Sequence, residues 1–132
     1  LCRLECHYPN KNKDNSDPKI IIGDNTSFGD FFHIGAINKI HIGKNVLGGS
    51  KVLIIDHNHG KCGIELIQQV NIAPKDRELV SKGEILIGDN VWIGEGVIIL
   101  ADTKIGNGAV IAANSIVKGE VLPNTVYFNK KK

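Results

Sequence analysis

An aliphatic residue recurs at every sixth position in the stretch from Ile85 to Lys118: Ile87, Ile93, Ile99, Ile105, Ile111 and Val117. A helix repeats near 3.6 residues and a half-buried strand at two, so neither accounts for this beat. Two residues before each aliphatic stands another small or β-branched residue: Ile85, Val91, Val97, Thr103, Ala109 and Ser115. Residues two apart on an extended chain face the same way, so Val91 and Ile93 point inward and Trp92 outward. The three residues that follow read Gly-Asp-Asn, Gly-Glu-Gly, Leu-Ala-Asp, Gly-Asn-Gly and Ala-Ala-Asn. Most are turn formers, and Gly and Asn tolerate the positive φ of a tight corner. The pattern predicts an all-β coiled prism with three hexads per turn, each turn bonded to the next about 4.8 Å away.

The same register runs through most of the chain, which reads as a single domain over residues 1–132. Hexads begin at Ile22, Phe28 and Ile34, and the next Ile-Gly pair, Ile42-Gly43, comes eight residues on rather than six. The second turn reads Ile42, Gly48, Ile54; the register then lapses over an excursion of about 56–84 and resumes at Ile85, giving about four turns in all. A long polar loop inside a repeat array is characteristically functional, and this one holds His57, His59, Pro74 and Arg77. The ladder is expected to end at Val121-Leu122-Pro123-Asn124, because proline donates no hydrogen bond. Provided the excursion adds nothing to the coil, one outward column reads Leu47, Trp92, Val110 and another Leu53, Ile98, Ile116, while a third carries Lys104. Two apolar columns on the outside of a prism form a patch that predicts self-association.

Composition narrows the choices. Apolar residues make up 42% of the chain and aromatics only 5%, which suits a thin aliphatic core. A net charge of +2 gives no argument for nucleic acid. No apolar run approaches the roughly 20 residues of a membrane span, and no signal peptide opens the chain. The sequence contains no methionine and so reads as starting inside a longer product. Cys2, Cys6 and Cys62 have no metal-ligand rhythm. Cys2 and Cys6, alternating with Arg3, Glu5 and His7, read as small buried hydrophobes, and a reduced, cytoplasmic compartment follows. Lys11 to Lys19 form a polar loop, and Lys130–Lys132 a solvated tail.

The hexads resemble those of the hexapeptide-repeat acyltransferases. The stretches Asp56-His57-Asn58-His59-Gly60, Arg77-Glu78-Leu79, Ser81-Lys82-Gly83 and Arg3-Leu4-Glu5 are most similar to the polysaccharide O-acetyltransferases of that family. The resemblance implies a left-handed parallel β-helix, a homotrimer, and acetyl transfer from acetyl-CoA to a hydroxyl of a sugar or surface polysaccharide such as O-antigen or capsule. In the galactoside, maltose and colanic-acid acetyltransferases the catalytic histidine stands five residues past the last inward aliphatic of its turn. His59 stands five past Ile54 and matches that role; His57 is the alternative, and Asp56 either orients a neighbouring imidazole or opens a turn. The chemistry needs such a group, since a sugar hydroxyl attacks a thioester only as a base removes its proton, and imidazole is part neutral at pH 7.

Several relatives place an oxyanion-stabilising Asn at the position of Gly29, which has no side chain here; Asn58, Asn38 or a backbone N–H are the substitutes. The family's cofactor contacts fall on Glu95 and Ala113, and Trp92 resembles the aromatic near the site of many relatives, with interface packing its other reading. Lys118 and the terminal lysines are candidate point charges for the CoA phosphates, with a solvated tail the other reading. Asn38, Asn58, Arg77 and His33, with Asp30 and Glu78, are candidates for a polar acceptor rim. No metal is expected, because this route of acyl transfer needs no Lewis acid. The γ-type carbonic anhydrase, which shares the prism, spreads histidine ligands over neighbouring turns, whereas all five histidines here precede residue 60. A serine or antibiotic acceptor, or a non-catalytic prism used for assembly, are the other readings.

Overall fold

The computed structural model describes residues 1–8, 19–61 and 69–129. Cys62, most of the Lys11–Lys19 loop and the Lys130–Lys132 tail lie outside the described residues. The hexads form short parallel strands stacked along three faces. The first face carries β2 (Ile20–Ile22), β5 (Ile40–Ile42), β10 (Ile85–Ile87) and the distal parts of β12 (Ile98–Ile105) and β14 (Ile116–Val121). The second carries β3 (Ser27–Phe28), β6 (Leu47–Gly48), β11 (Trp92–Ile93), β13 (Val110–Ile111) and β15 (Val126–Tyr127). The third carries β1 (Arg3–Cys6), β4 (His33–Ala36), β7 (Leu53–Ile55) and the proximal parts of β12 and β14. Four complete turns are thus flanked by partial turns at each end.

The inward positions are those the six-residue beat marks. Ile34, Ile54, Ile93, Ile99, Val97, Ala109 and Val117 are all fully buried, and Ile87, Val91, Ile105 and Ile111 nearly so. Each stacks on its counterpart in the next turn, as Ile54 does on Ile99 and Ile99 on Val117. Gly48 breaks the aliphatic series. The ring of Phe28, one turn above, fills its place; a Cβ on Gly48 would come within 2.1 Å of Phe28 Cδ1. Corners turn through left-handed residues, and most of those that are not glycine are asparagine, including Asn25, Asn45 and Asn90.

The excursion adds nothing to the coil: β7 pairs directly with β12, and β6 with β11. The outward columns therefore line up as expected, Leu47–Trp92–Val110 and Leu53–Ile98–Ile116. Leu47 is 54% exposed, Trp92 57% and Ile116 50%. The third column, on the first face, reads Ile21, His41, Leu86, Lys104 and Glu120.

Two expectations are corrected. Pairing does not stop at Pro123. β14 reaches Val121 opposite Ile105, and β15 follows beyond the proline, opposite β13. Pro123 occupies a corner against Gly106, and there the ladder asks nothing of its nitrogen: Gly106 N–H donates to Val121 O and Asn124 N–H to Asn107 O. Cys2 and Cys6 point toward the prism axis beside Leu4, which stacks on Ile34, yet both are exposed, as is Leu4 at 54%. Among the described residues β1 pairs only with β4, so its inward side is covered from one direction alone.

Candidate active site

The excursion leaves the prism where the long first corner meets the end of β7. The two extra residues of that corner bring additional backbone donors. Ile37 N–H donates to Asp56 Oδ1 and Asn38 N–H to Asp56 Oδ2, each at 2.8 Å. Asp56 is wholly buried, so its carboxylate satisfies groups that would otherwise be orphaned inside the fold. His57 Nδ1 lies 3.1 Å from Asp56 Oδ1. An Nδ1–H donated to that carboxylate leaves Nε2 as the ring's acceptor. His57 is 7% exposed and packs edge-on against His7, ring centroids 5.6 Å apart at 71°. Asp56 thus both closes a corner and contacts an imidazole, and the imidazole is that of His57.

From there the chain reverses. β8 (Asn58–His59) runs antiparallel to β9 (Leu79–Val80), with His59 opposite Leu79. Alternation turns the His59 side outward, and both Asn58 and His59 are exposed. Gly60, at φ +94°, makes the bend that a side chain would resist, and its N–H donates to Glu78 O at 2.8 Å. Arg77, assigned to the acceptor rim, folds back into the excursion, where its Nε–H donates to Ile72 O at 2.9 Å.

A groove of about 270 Å³ runs along the third face beside this turn, lined by Ile55, His57, Asn58, Lys82, Leu100, Ala101 and Lys118. Its floor is apolar. Lys118 therefore joins the histidine segment, and so does Lys82, which the sequence reading left without a role. The only sign of it was a basic residue in Ser81-Lys82-Gly83 shortly before the register resumes. Trp92, Glu95 and Ala113 lie elsewhere. Trp92 is on the second face, and Glu95 and Ala113 stack on successive turns at the corner that follows, Asn114 N–H donating to Glu95 O at 2.8 Å. The column Leu53–Ile98–Ile116 separates them from the groove.

The side chain of Asn38 is exposed, while its backbone is committed to Asp56. His33 Nε2 stands 2.8 Å from Glu5 Oε1. At Gly29 a Cβ would fall 2.5 Å from Ser50 Oγ, so the corner leaves no room for an oxyanion-binding side chain. A larger depression of about 410 Å³ on the first face is lined by Glu84, Asp102, Thr103, Lys104 and Glu120. No imidazole lines it. Among the described residues no group of three or more His, Cys, Asp or Glu could hold a metal ion, and no helix is long and apolar enough to cross a membrane.

A parallel prism of stacked hexads, interrupted once by a histidine-bearing excursion, is the architecture of the hexapeptide-repeat family. Residues 84–119 match the family described as bacterial transferase hexapeptide (six repeats), and the chain belongs to this family. Over 108 residues it is 44% identical to WbbJ of Escherichia coli K12, which is named as an O-acetyl transferase of lipopolysaccharide biosynthesis; the match covers 81% of this chain and 55% of that protein. Among solved structures, a maltose O-acetyltransferase from Clostridium difficile 630 superposes with a TM-score of 0.65 at 31% identity, over 96% of this chain and 60% of that one. A galactoside acetyltransferase in complex with coenzyme A gives a TM-score of 0.60 at 27% identity, over 94% and 60%. The chain spans little more than half the length of WbbJ and 60% of each of these two structures.

Proposed function

We propose that the chain is an acetyl-CoA-dependent O-acetyltransferase that acts on a sugar hydroxyl, with His59 as general base. The observation that carries this reading is the Asp56–Gly60 turn, which sets the His57 imidazole in the lining of an apolar groove flanked by Lys82 and Lys118 and leaves His59 exposed two residues on. In the proposed step the acceptor oxygen attacks the thioester carbonyl while its proton passes to the imidazole. The carbon–sulfur bond then breaks, and the CoA thiolate leaves and takes up a proton. General-base help of this kind is typically worth ~10²–10⁴-fold. His59 supports the role by matching the family's offset from Ile54 and by being exposed to a partner and substrate.

One observation favours His57 as a second reading: its contact with Asp56 is the arrangement that orients a base. Single His59→Ala and His57→Ala variants assayed for CoA thiol release decide between them. Loss in His59→Ala with an unchanged fold is expected; loss confined to His57→Ala moves the role.

The separation of Trp92, Glu95 and Ala113 from the Lys118 groove supports a homotrimer in which the corner of one prism faces the groove of the next, with acetyl-CoA between them. The Leu53–Ile98–Ile116 column, half-buried at Leu53 and Ile98 and exposed at Ile116, is the surface such packing would bury. Lys118 and Lys82 then meet CoA phosphates as point charges. Asn38, Asn58 and His33 form the acceptor rim, with Arg77 holding the excursion through Ile72 O, and Asn58 or a backbone N–H takes the oxyanion.

The acceptor we favour is a bacterial surface saccharide, O-antigen or capsule, or its precursor. WbbJ's name and the maltose and galactoside enzymes support this class. Since acetyl-CoA is a cytoplasmic metabolite, the reaction is placed in the cytoplasm, and no metal takes part. Labelled acetyl-CoA offered with a panel of saccharides, serine and chloramphenicol should mark a saccharide. Label on serine or the antibiotic and on no sugar refutes the choice.

A further inference from the structure

Outside the groove, ionisable side chains converge on one point of the third face. β1 lays Glu5 over Gly35. A Cβ on Gly35 would stand 3.5 Å from Glu5 Oε1 and 3.4 Å from His57 Cε1. Carboxylate and imidazole therefore approach the same bare stretch of backbone, no further apart than the sum of those distances, about 7 Å. Glu5 Oε1 also lies 2.8 Å from His33 Nε2 and 3.7 Å from His7 Nε2, while Oε2 pairs with Arg3. The cluster is partly open to solvent, the side chains of His7, His33 and Glu5 being 43%, 30% and 18% exposed, and it adjoins the groove at His57.

We propose that Glu5 determines acceptor specificity, binding adjacent hydroxyls of a neutral sugar next to the histidine segment. The inference deepens the O-acetyltransferase reading and rests on it. A carboxylate offers about four acceptor sites, and Arg3, His33 and His7 leave part of that capacity unused. A sugar diol presents paired donors and acceptors. One hydroxyl can donate to Glu5 while its neighbour accepts from an imidazole N–H of His7 or His33. Burial by itself would raise the Glu5 carboxyl, but the hydrogen bonds and charges of His33 and Arg3 outweigh it and hold the group below its ordinary value. Glu5 is thus a standing acceptor at neutral pH. With Arg3 already paired to Oε2, a uronic acid would set its carboxylate against the remaining lone pairs of Glu5 and is the poorer fit.

The test is sugar binding measured by saturation-transfer NMR, with methyl galactoside, methyl glucoside, N-acetylglucosamine and glucuronic acid as probes. The wild type and Cys6→Ala, a control on the same strand, should bind at least one neutral sugar and reject glucuronic acid. The isosteric Glu5→Gln should weaken neutral-sugar binding about 10- to 100-fold, the worth of a hydrogen bond to a charged group. In the wild type alone, the ring resonances of His7 and His33 should shift on sugar addition while those of His41, on the first face, stay put. Unchanged binding in Glu5→Gln, no neutral sugar bound by the wild type, preference for glucuronic acid, or ring shifts no larger at His7 and His33 than at His41 would each overturn the inference. Acetyl transfer is scored separately. Where the wild type turns over, Glu5→Gln should raise KM for the sugar and leave KM for acetyl-CoA alone. Binding that depends on Glu5 without any transfer would refute the enzyme and keep the sugar site.

Discussion

Replacing Asp56 by alanine should destabilise the prism without touching its aliphatic core. Three groups rely on this wholly buried carboxylate: the N–H of Ile37, the N–H of Asn38 and His57 Nδ1. Ile37 is 9% exposed, so its N–H would lose its partner where water enters poorly, at about 1–3 kcal/mol. Asn38 is exposed, and water can replace its bond at roughly 0–1 kcal/mol. The void left by a fully buried carboxylate adds on the order of 1 kcal/mol. The expected loss is about 3 kcal/mol, which for a chain of this length lowers Tm by roughly 10 °C. Asp56→Asn should fall in between, since one oxygen remains and the other becomes an NH₂ facing an N–H donor. Urea unfolding followed by circular dichroism at neutral pH measures both. An Asp56→Ala variant within about 0.5 kcal/mol of the wild type, the spread of an ordinary surface substitution, would refute the argument that Asp56 satisfies the long corner.

Gly48→Ala should destabilise by about 1–3 kcal/mol, because the new methyl meets the Phe28 ring; Gly48→Ala combined with Phe28→Leu should recover part of the loss, and denaturant midpoints compare them. The folded-state pKa of Glu5 lies below its ordinary value of 4.5. Its contribution to stability is therefore fully present above that value and disappears as pH falls through the lower folded value. Thermal scans between about pH 6 and pH 3 should lose less stability in Glu5→Gln than in the wild type, and parallel curves would contradict the assignment. Light scattering at micromolar protein should give three times the chain mass, and Ile116→Glu, placing a charge on an exposed apolar column, should lower it; a monomeric wild type would exclude the trimer.

The fold was legible in the sequence because a hexapeptide period serves one geometry. Ile87, Ile93 and Ile99 repeat at the spacing of faces, so their burial, the strand register and even the outward columns of Trp92 and Ile98 followed from counting. The excursion was visible as the place where counting fails. Counting could not say how much cover an inward residue receives. Cys2 and Cys6 have the inward parity but lie at the end of the stack, where burial depends on a neighbour above rather than on the pattern. Pro123 was misread for a similar reason. A proline stops a ladder only if its nitrogen is needed, and the corner against Gly106 does not need it.

The candidate site divides along the same line. Local spacing marked Asp56, His57 and His59, because an offset from Ile54 is a property of the chain. Tertiary structure alone gave Asp56 its three partners, brought Lys82 back beside Lys118, and laid Glu5 over Gly35 within reach of His57. Apart from the adjacent Asp56 and His57, these contacts join residues 18 or more apart through the stacking of turns. No local periodicity encodes which side chains the return of an irregular loop will bring together.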